Sequence, residues 1–327
     1  MARVLSVALA LAAQASLSEA LELRSVPSKA QGETASSWLF PSDELSAFGS
    51  EFSQKRPAVA VGLGYQKCGT TVMARILGQH ADTINFGAKE KHYLGNGGSQ
   101  CERPGPPSSL EDYLDSCFGG QRPQKHQTTL DFTPTYGTMA EIGTVISNVV
   151  NMSGDVGYRF VMAMREPASR AASSMGMYRK LALFEYANTT DEQLDNFLLR
   201  ELQNRKSGKQ TRFISDGEYV EPLKVFLKSF PKESLLVVNT AKISDPQTWK
   251  RIYKHLGLSV AADQQITDYI EAASLRYQGQ QEEKYASSHT LPYKASPVVL
   301  KQLSDHYKQM DNELWQILGT QPWWNEP

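Results

Sequence analysis

Three cysteines in 327 residues, Cys68, Cys101 and Cys117, are too few for a disulfide-dense scaffold or a cysteine-rich metal module. Charge of one sign is lacking too. The 34 Lys and Arg against 35 Asp and Glu leave a net charge of -1, so no field of the whole molecule draws in a polyanion, and no nucleic-acid partner is expected. No stretch beyond the first residues approaches the roughly 20 apolar residues of a membrane helix, and no stable span is expected. Internal repeats, metal-ligand spacings of Cys and His, and a Ser-His-Asp order are missing as well, so no metal is expected. What is present is an ordinary globular composition, 40% hydrophobic, in a chain long enough to bury a sizeable single core.

The first residues read as a leader. Arg3 supplies a positive start, Val4 to Leu17 is largely apolar and rich in alanine, and Ser18-Glu19-Ala20 fits a small-x-small cleavage signal. Residues 1–20 are therefore expected to be a signal peptide, 21–57 a poorly ordered stem and 58–327 the working domain. An uncleaved signal anchor and an organelle-targeting leader are the alternatives. The secretory pathway is the expected route, with the Golgi lumen or the outside as destination. Cys101 and Cys117 flank a turn-rich loop, Glu102 to Ser109, that a disulfide can close in an oxidising lumen, leaving Cys68 free. Asn151-Met152-Ser153 and Asn188-Thr189-Thr190 are glycosylation sequons.

The most informative stretch runs from Val59 to Thr71, an apolar strand leading into Gly64-Tyr65-Gln66-Lys67-Cys68-Gly69-Thr70-Thr71 and then a helix. Small residues let backbone N–H groups approach an anion, a helix start at Thr70 offers free donors and the positive end of a dipole, and Lys67 adds a full charge. The order is not that of a Walker A loop, in which the Lys directly precedes the Ser or Thr. Alone, the segment also fits a plain strand-turn-helix. A second strand, Arg159 to Met164, ends in Arg165-Glu166-Pro167, with Pro167 suited to the first turn of a helix that carries Ser173. An Arg fork and a hydroxyl bracketing a helix start suit a phosphate; an Arg165 paired with Glu166 at the surface is the bland alternative. Strand patterns at Thr83–Gly87, Thr128–Phe132 and Leu235–Asn239 alternate with helical patterns at Val72–Leu77, Thr190–Gln203, Val220–Phe230 and Trp249–Leu256. This alternation predicts an α/β fold, a P-loop-like three-layer sandwich with a central parallel sheet flanked by helices, and a ligand at the carboxyl ends of the strands.

The Lys67 loop resembles the 5′-phosphosulfate loop of sulfotransferases, and with Arg165 and Ser173 it is similar to the two phosphate sites for 3′-phosphoadenosine 5′-phosphosulfate (PAPS). Over residues from Ala58 onward the chain is most similar to the secretory carbohydrate sulfotransferases of the heparan sulfate N- and O-sulfotransferase kind. Lys89-Glu90-Lys91-His92-Tyr93-Leu94 resembles that family's Glu-x-His-aromatic segment. Leu130-Asp131-Phe132-Thr133-Pro134-Thr135-Tyr136 resembles its Glu-Lys-Thr/Ser-Pro-x-Tyr segment, with Phe132 in place of the Lys. Gly217-Glu218-Tyr219, Phe226 to Pro231, Leu235 to Val238, Asn312-Glu313-Leu314 and Trp323-Trp324 match later pieces in the same order.

The resemblance implies PAPS as co-substrate, held by Lys67, Cys68, Gly69, Thr70, Thr71, Arg165 and Ser173. Tyr277 to Pro292 reads as a polar loop, and the resemblance places Lys284 of that stretch over the 3′-phosphate end, although the family's cysteines there are missing. It also makes Glu90 the candidate base, with His92 positioning the acceptor or assisting and Lys67 following the leaving oxygen; Asp131 is the next candidate base after His92. A glycan is the expected acceptor. Any acidic glycan needs a local basic patch, for which Lys89, Lys91, Arg179 and Lys180 are the candidates. Two other classes stay open: a P-loop kinase or nucleotide-binding phosphotransferase, and a secreted glycan-binding relative without turnover.

Overall fold

The computed structural model describes residues 57–85, 90–96, 101–102, 107–124, 126–152, 157–181, 189–285, 293–319 and 323–325. The expected leader and the stem up to residue 56 lie outside the described residues, as do Ser153 and Asn188 of the two sequons.

Five strands form one sheet: β1 (Pro57–Gly62), β2 (Thr83–Ile84), β3 (Thr128–Asp131), β4 (Gly157–Met164) and β5 (Leu235–Asn239). All adjacent pairs run parallel, in the order β2-β3-β1-β4-β5. The central β1 has Val59 opposite Thr129 on one side and Tyr158 on the other, and Val61 opposite Asp131 and Phe160. Burial on both faces explains why β1 and β4 read as continuous apolar runs rather than alternating ones. Every strand ends at the same edge, so the connections after β1, β2, β3, β4 and β5 share one rim. The chain leaves β1 toward β2 and leaves β4 toward β5, so the sheet's switch point lies between them, where α/β folds hold ligands.

Helices α1 (Thr70–Leu77), α2 (Leu110–Phe118), α3 (Ile142–Met152), α4 (Pro167–Lys180), α5 (Asp191–Lys206), α6 (Val220–Ser229), α7 (Pro246–Leu256), α8 (Asp263–Tyr285) and α9 (Pro297–Leu318) flank the sheet. Their ends follow local chemistry. Thr190 and Gln193 form a reciprocal capping box at α5, while Asp245 and Ser296 cap α7 and α9, each ahead of a proline at the first helical position. A second apolar cluster outside the main core packs Ala171 and Met175 of α4 against Leu194 and Leu198 of α5 and Leu303 of α9.

Two expectations need correction. The stretch from Tyr277 is not a loop throughout, because α8 continues to Tyr285. Past Gly279, residues 280–284 are Gln-Gln-Glu-Glu-Lys, all good helix formers, and their polarity marks an exposed helix as readily as a loop. Strand β2 is two residues long, and the expected Phe86 and Gly87 lie outside the described residues.

The Cys101–Cys117 bridge is present, with a sequence separation of 16, and Cys68 is free and buried. It fastens the segment after residue 96 to α2. A closed loop of about this length is worth about 3 kcal/mol in the chain-entropy account. Replacing both residues by Ser should therefore lower the free energy of denaturant unfolding by about 2–4 kcal/mol. An unchanged midpoint would mean the bridge does not constrain the unfolded chain.

Candidate functional site

The loop after β1 is built around two left-handed residues, Lys67 at φ 69° and Gly69 at φ 77°. Gly69 is the N-cap of α1, and no side chain caps that helix. A helix start without a side-chain cap keeps its positive end available to an anion. At the start of α4 the opposite holds. Glu166 accepts from the N–H groups of Ala168 at 2.9 Å and Ser169 at 2.6 Å, so that helix is neutralised from within. Glu166 is thus committed to a cap, and Arg165 turns instead toward the first loop, where its Nη1 donates to the Lys67 carbonyl at 3.4 Å.

The result is a concentration of positive charge. Burial pushes the Lys67 ammonium below its usual range, and the nearby cations Arg165 and Lys180 push it further the same way. The loop is tied down from behind: the Thr240 hydroxyl reaches the carbonyls of Met164 at 2.7 Å and Cys68 at 3.1 Å, and Tyr219 Oη donates to the Arg165 carbonyl at 2.8 Å. Cys68 is fully buried with its Sγ 3.9 Å from Tyr219 Oη. Burial raises its thiol to about 11, outweighing the lowering by Arg170, so Cys68 is inert and can serve the loop through its backbone alone. Thr70 is buried and Thr71 half-buried, and Ser173 stands half-buried on α4. Lys284 lies near the end of α8, and its side chain is outside the described residues.

On the other side of β1, Glu90 and His92 come together, with His92 Nε2 3.4 Å from Glu90 Oε2. That hydrogen bond raises the imidazole pKa against the opposing effect of burial, and Glu90, Glu141 and Asp131 add attraction. His92 is the second non-glycine residue with positive φ, at 54°, and its N–H donates to Thr133 Oγ1 at 3.2 Å. Asp131 at the end of β3 has no exposed surface and accepts from Tyr113 Oη at 2.9 Å, Tyr136 Oη at 3.0 Å and Thr133 Oγ1 at 3.0 Å. Burial raises its carboxyl pKa, while these three donors and Lys91 oppose the rise. Its oxygens are taken up by these donors and it has no solvent access. Tyr113, Thr133 and Tyr136 were not among the expected site residues, although Thr133 and Tyr136 belong to the segment that carries the resemblance.

The expected basic patch does not form as a unit. Lys91 is buried, with its Nζ 4.7 Å from the Phe118 ring centroid, and Arg179 is buried and paired with Asp191 at 2.6 Å. Lys180 belongs electrostatically with Lys67, and Lys89 lies outside the described residues. Phe132 is core: a Cβ on Gly62 would lie 2.5 Å from its ring, so only glycine fits beneath it. Among the described residues no group of His, Cys, Asp and Glu is placed to hold a metal ion, and no helix is long and apolar enough to cross a membrane.

A parallel sheet in this order, with a Gly-capped helix start after its central strand, defines a doubly wound α/β fold that gathers its ligand-facing groups at one rim. Among solved structures, the chain is similar to a sulfotransferase from Alicyclobacillus acidocaldarius at 18% identity, covering 82% of this chain and 97% of that one, with a TM-score of 0.54. A mouse sulfotransferase complexed with PAP is similar at 12% identity, over 82% and 87% of the two chains, with a TM-score of 0.41. A sulfotransferase domain from a Synechococcus olefin synthase is similar at 14% identity, over 78% and 96%, with a TM-score of 0.39. No protein-family model matches the chain, and no curated protein matches its sequence. The first of these likenesses shows that the chain has the fold of a sulfotransferase.

The Glu90–His92 pair gives a direct test. A raised imidazole pKa means the pair contributes below the ordinary His value of about 6.5 and is lost as pH rises through the raised one. Glu90→Gln should bring the His92 titration midpoint, followed by ring-proton NMR, down toward about 6.5. A midpoint that stays where it was in the wild type would break the pair.

Proposed function

We propose that the protein is a sulfotransferase that moves a sulfuryl group from PAPS to a hydroxyl or amine of an acceptor. The observation that carries this reading is the crowding of Lys67, Arg165 and Lys180 beside a helix start that no side chain caps. Like charges held together in a half-buried site repel, and a multiply charged anion relieves them. In this reading Lys67 and the backbone of Cys68, Gly69, Thr70 and Thr71 hold the 5′-phosphosulfate. Arg165 and Ser173 hold the 3′-phosphate, with Lys284 as a further contact carried by resemblance alone.

Transfer requires the acceptor in line with the S–O bond that breaks, a base for the acceptor proton and a cation for the leaving phosphate. Glu90 takes the proton as the new bond to sulfur forms, and His92 holds the Glu90 carboxylate in place. Lys67 neutralises the charge that builds on the bridging oxygen as 3′-phosphoadenosine 5′-phosphate departs. A glycan hydroxyl met in the secretory pathway is our reading of the acceptor, supported by the family resemblance and by a disulfide that suits an oxidising compartment. The inward-facing Lys91, the paired Arg179 and the apolar Phe132 favour an uncharged sugar over a sulfated or uronate-rich polymer of the heparan kind.

Replacing Lys67 or Arg165 by Ala should each remove a charge-assisted bond of about 1.5–3 kcal/mol and weaken 3′-phosphoadenosine 5′-phosphate binding by roughly 10- to 100-fold in calorimetry. Unchanged affinity in both variants rejects the donor site. Tighter binding of ATP with Mg²⁺ than of PAPS selects the phosphotransferase reading instead.

For the base, Glu90→Gln preserves shape and removes the proton acceptor. Donor affinity should hold while turnover of labelled PAPS, on an acceptor found from a panel of glycans, tyrosine peptides and alcohols, falls by about 10²- to 10⁴-fold. Near wild-type turnover would move the base elsewhere.

A further inference from the structure

Residues 90–94 have no helix or strand of their own, yet they carry the pair that the proposed reaction needs. Their backbone is fastened at two points that lead to one carboxylate. The His92 N–H donates to Thr133 Oγ1 at 3.2 Å, and the Thr133 hydroxyl donates to Asp131 Oδ1 at 3.0 Å. The Leu94 N–H donates to Tyr136 Oη at 3.0 Å, and the Tyr136 hydroxyl donates to Asp131 Oδ2 at 3.0 Å. A third donor, Tyr113 Oη, reaches Asp131 Oδ2 at 2.9 Å from α2, and no hydrogen bond of that hydroxyl to residues 90–94 accompanies it among the described residues.

Each relay hydroxyl has one proton, and the carboxylate claims it. The oxygen lone pairs of Thr133 and Tyr136 are therefore left facing the segment, and a hydroxyl polarised by an anion accepts more strongly. This bond also bears on backbone strain. His92 sits at φ 54°, a region that costs a non-glycine residue about 1 kcal/mol or more and persists only where the surroundings hold it. Released from Thr133, residue 92 loses the hydrogen bond of its own N–H, and a relaxation of its φ would turn its ring relative to Glu90.

Resting on the reading of Glu90 as base, we propose that Asp131 is a positioning residue: through Thr133 to His92 and through Tyr136 to Leu94, it fixes the geometry of the Glu90–His92 pair. It touches neither donor nor acceptor. Its effect is on where the base stands.

Four variants separate positioning from plain stability. Thr133→Val and Tyr136→Phe each cut one relay, Tyr113→Phe removes a bond to the same carboxylate without cutting a relay, and Thr133→Ser keeps the relay hydroxyl. Each is followed by thermal melting, 3′-phosphoadenosine 5′-phosphate affinity, turnover and the His92 titration midpoint.

The expected result is a fall in kcat of about 10- to 100-fold for Thr133→Val and Tyr136→Phe, with donor affinity kept, in line with the cost of a misplacement near 1 Å. The His92 midpoint should drop in both, and Thr133→Ser should restore both readouts. Tyr113→Phe should lower the melting point comparably yet keep kcat within about threefold of wild type, because its bond is structural alone. A Tyr113→Phe variant as slow as the relay variants overturns the proposal, and so does an unmoved His92 midpoint with unaltered kcat in Thr133→Val and Tyr136→Phe. If the wild type transfers to no acceptor, the midpoint decides alone. Movement in the relay variants but not in Tyr113→Phe upholds the positioning while the sulfotransferase reading falls, and no movement in any variant overturns it.

Discussion

A carboxylate shut away from water must have its oxygens satisfied, and much of the arrangement around residues 90–94 follows from meeting that need at Asp131. Three donors come from two places: Tyr113 on α2, and Thr133 and Tyr136 from the turn after β3. Buried Lys91 adds an attractive charge. Losing one partner of a buried charged group costs more than an ordinary hydrogen bond, so the cluster is held together as a set. The disulfide strengthens the same arrangement by tying Cys101, just past the 90–96 segment, to Cys117 on the helix that carries Tyr113.

The rim around Lys67 follows another logic, in which repulsion is retained rather than cancelled. Two helices start at the carboxyl edge of neighbouring strands, and they differ in how their free N–H groups are treated. The one after β4 is closed by its own Glu166; the one after β1 begins at a glycine with no capping side chain and three cations close by, Lys67, Arg165 and Lys180. Had Glu166 paired with Arg165 at the surface, that helix would have lost its cap and the rim a cation. Of these two helices, only the one after β1 keeps its first N–H groups clear of a capping side chain.

Much of the fold was legible in the chain because buried parallel strands leave unbroken apolar runs, as Val59–Val61 and Phe160–Met164 do, and the half-buried edge run Leu235–Val238 reads the same way. The strand-loop-helix around Lys67 was legible too, because glycines between an apolar run and a helical pattern mark a turn. Less legible was what depends on contacts between distant segments. Nothing local tells that Lys91 turns inward onto Phe118, or that Arg179 is taken up by Asp191, since a buried cation and a surface one look alike in sequence. Polar composition likewise concealed the continuation of α8 to Tyr285, because a polar run carries no apolar periodicity by which a helix is read. The relay roles of Thr133 and Tyr136 depend on partners 41 and 42 residues earlier in the chain, beyond the reach of any periodicity.

Thr240 closes the circuit behind the Lys67 loop. One hydroxyl at the end of β5 serves two carbonyls, Met164 at the end of β4 and Cys68 in the loop after β1, so three consecutive strands of the sheet share a single latch. A loop latched in this way surrenders its conformational entropy when the chain folds, not when a ligand arrives. Association with a rigid, multiply charged small molecule then spends little of its interaction energy on ordering the protein. On the proposed function, a nucleotide would enter a cradle already fixed by the fold, with an on-rate governed by charge and encounter rather than by loop closure.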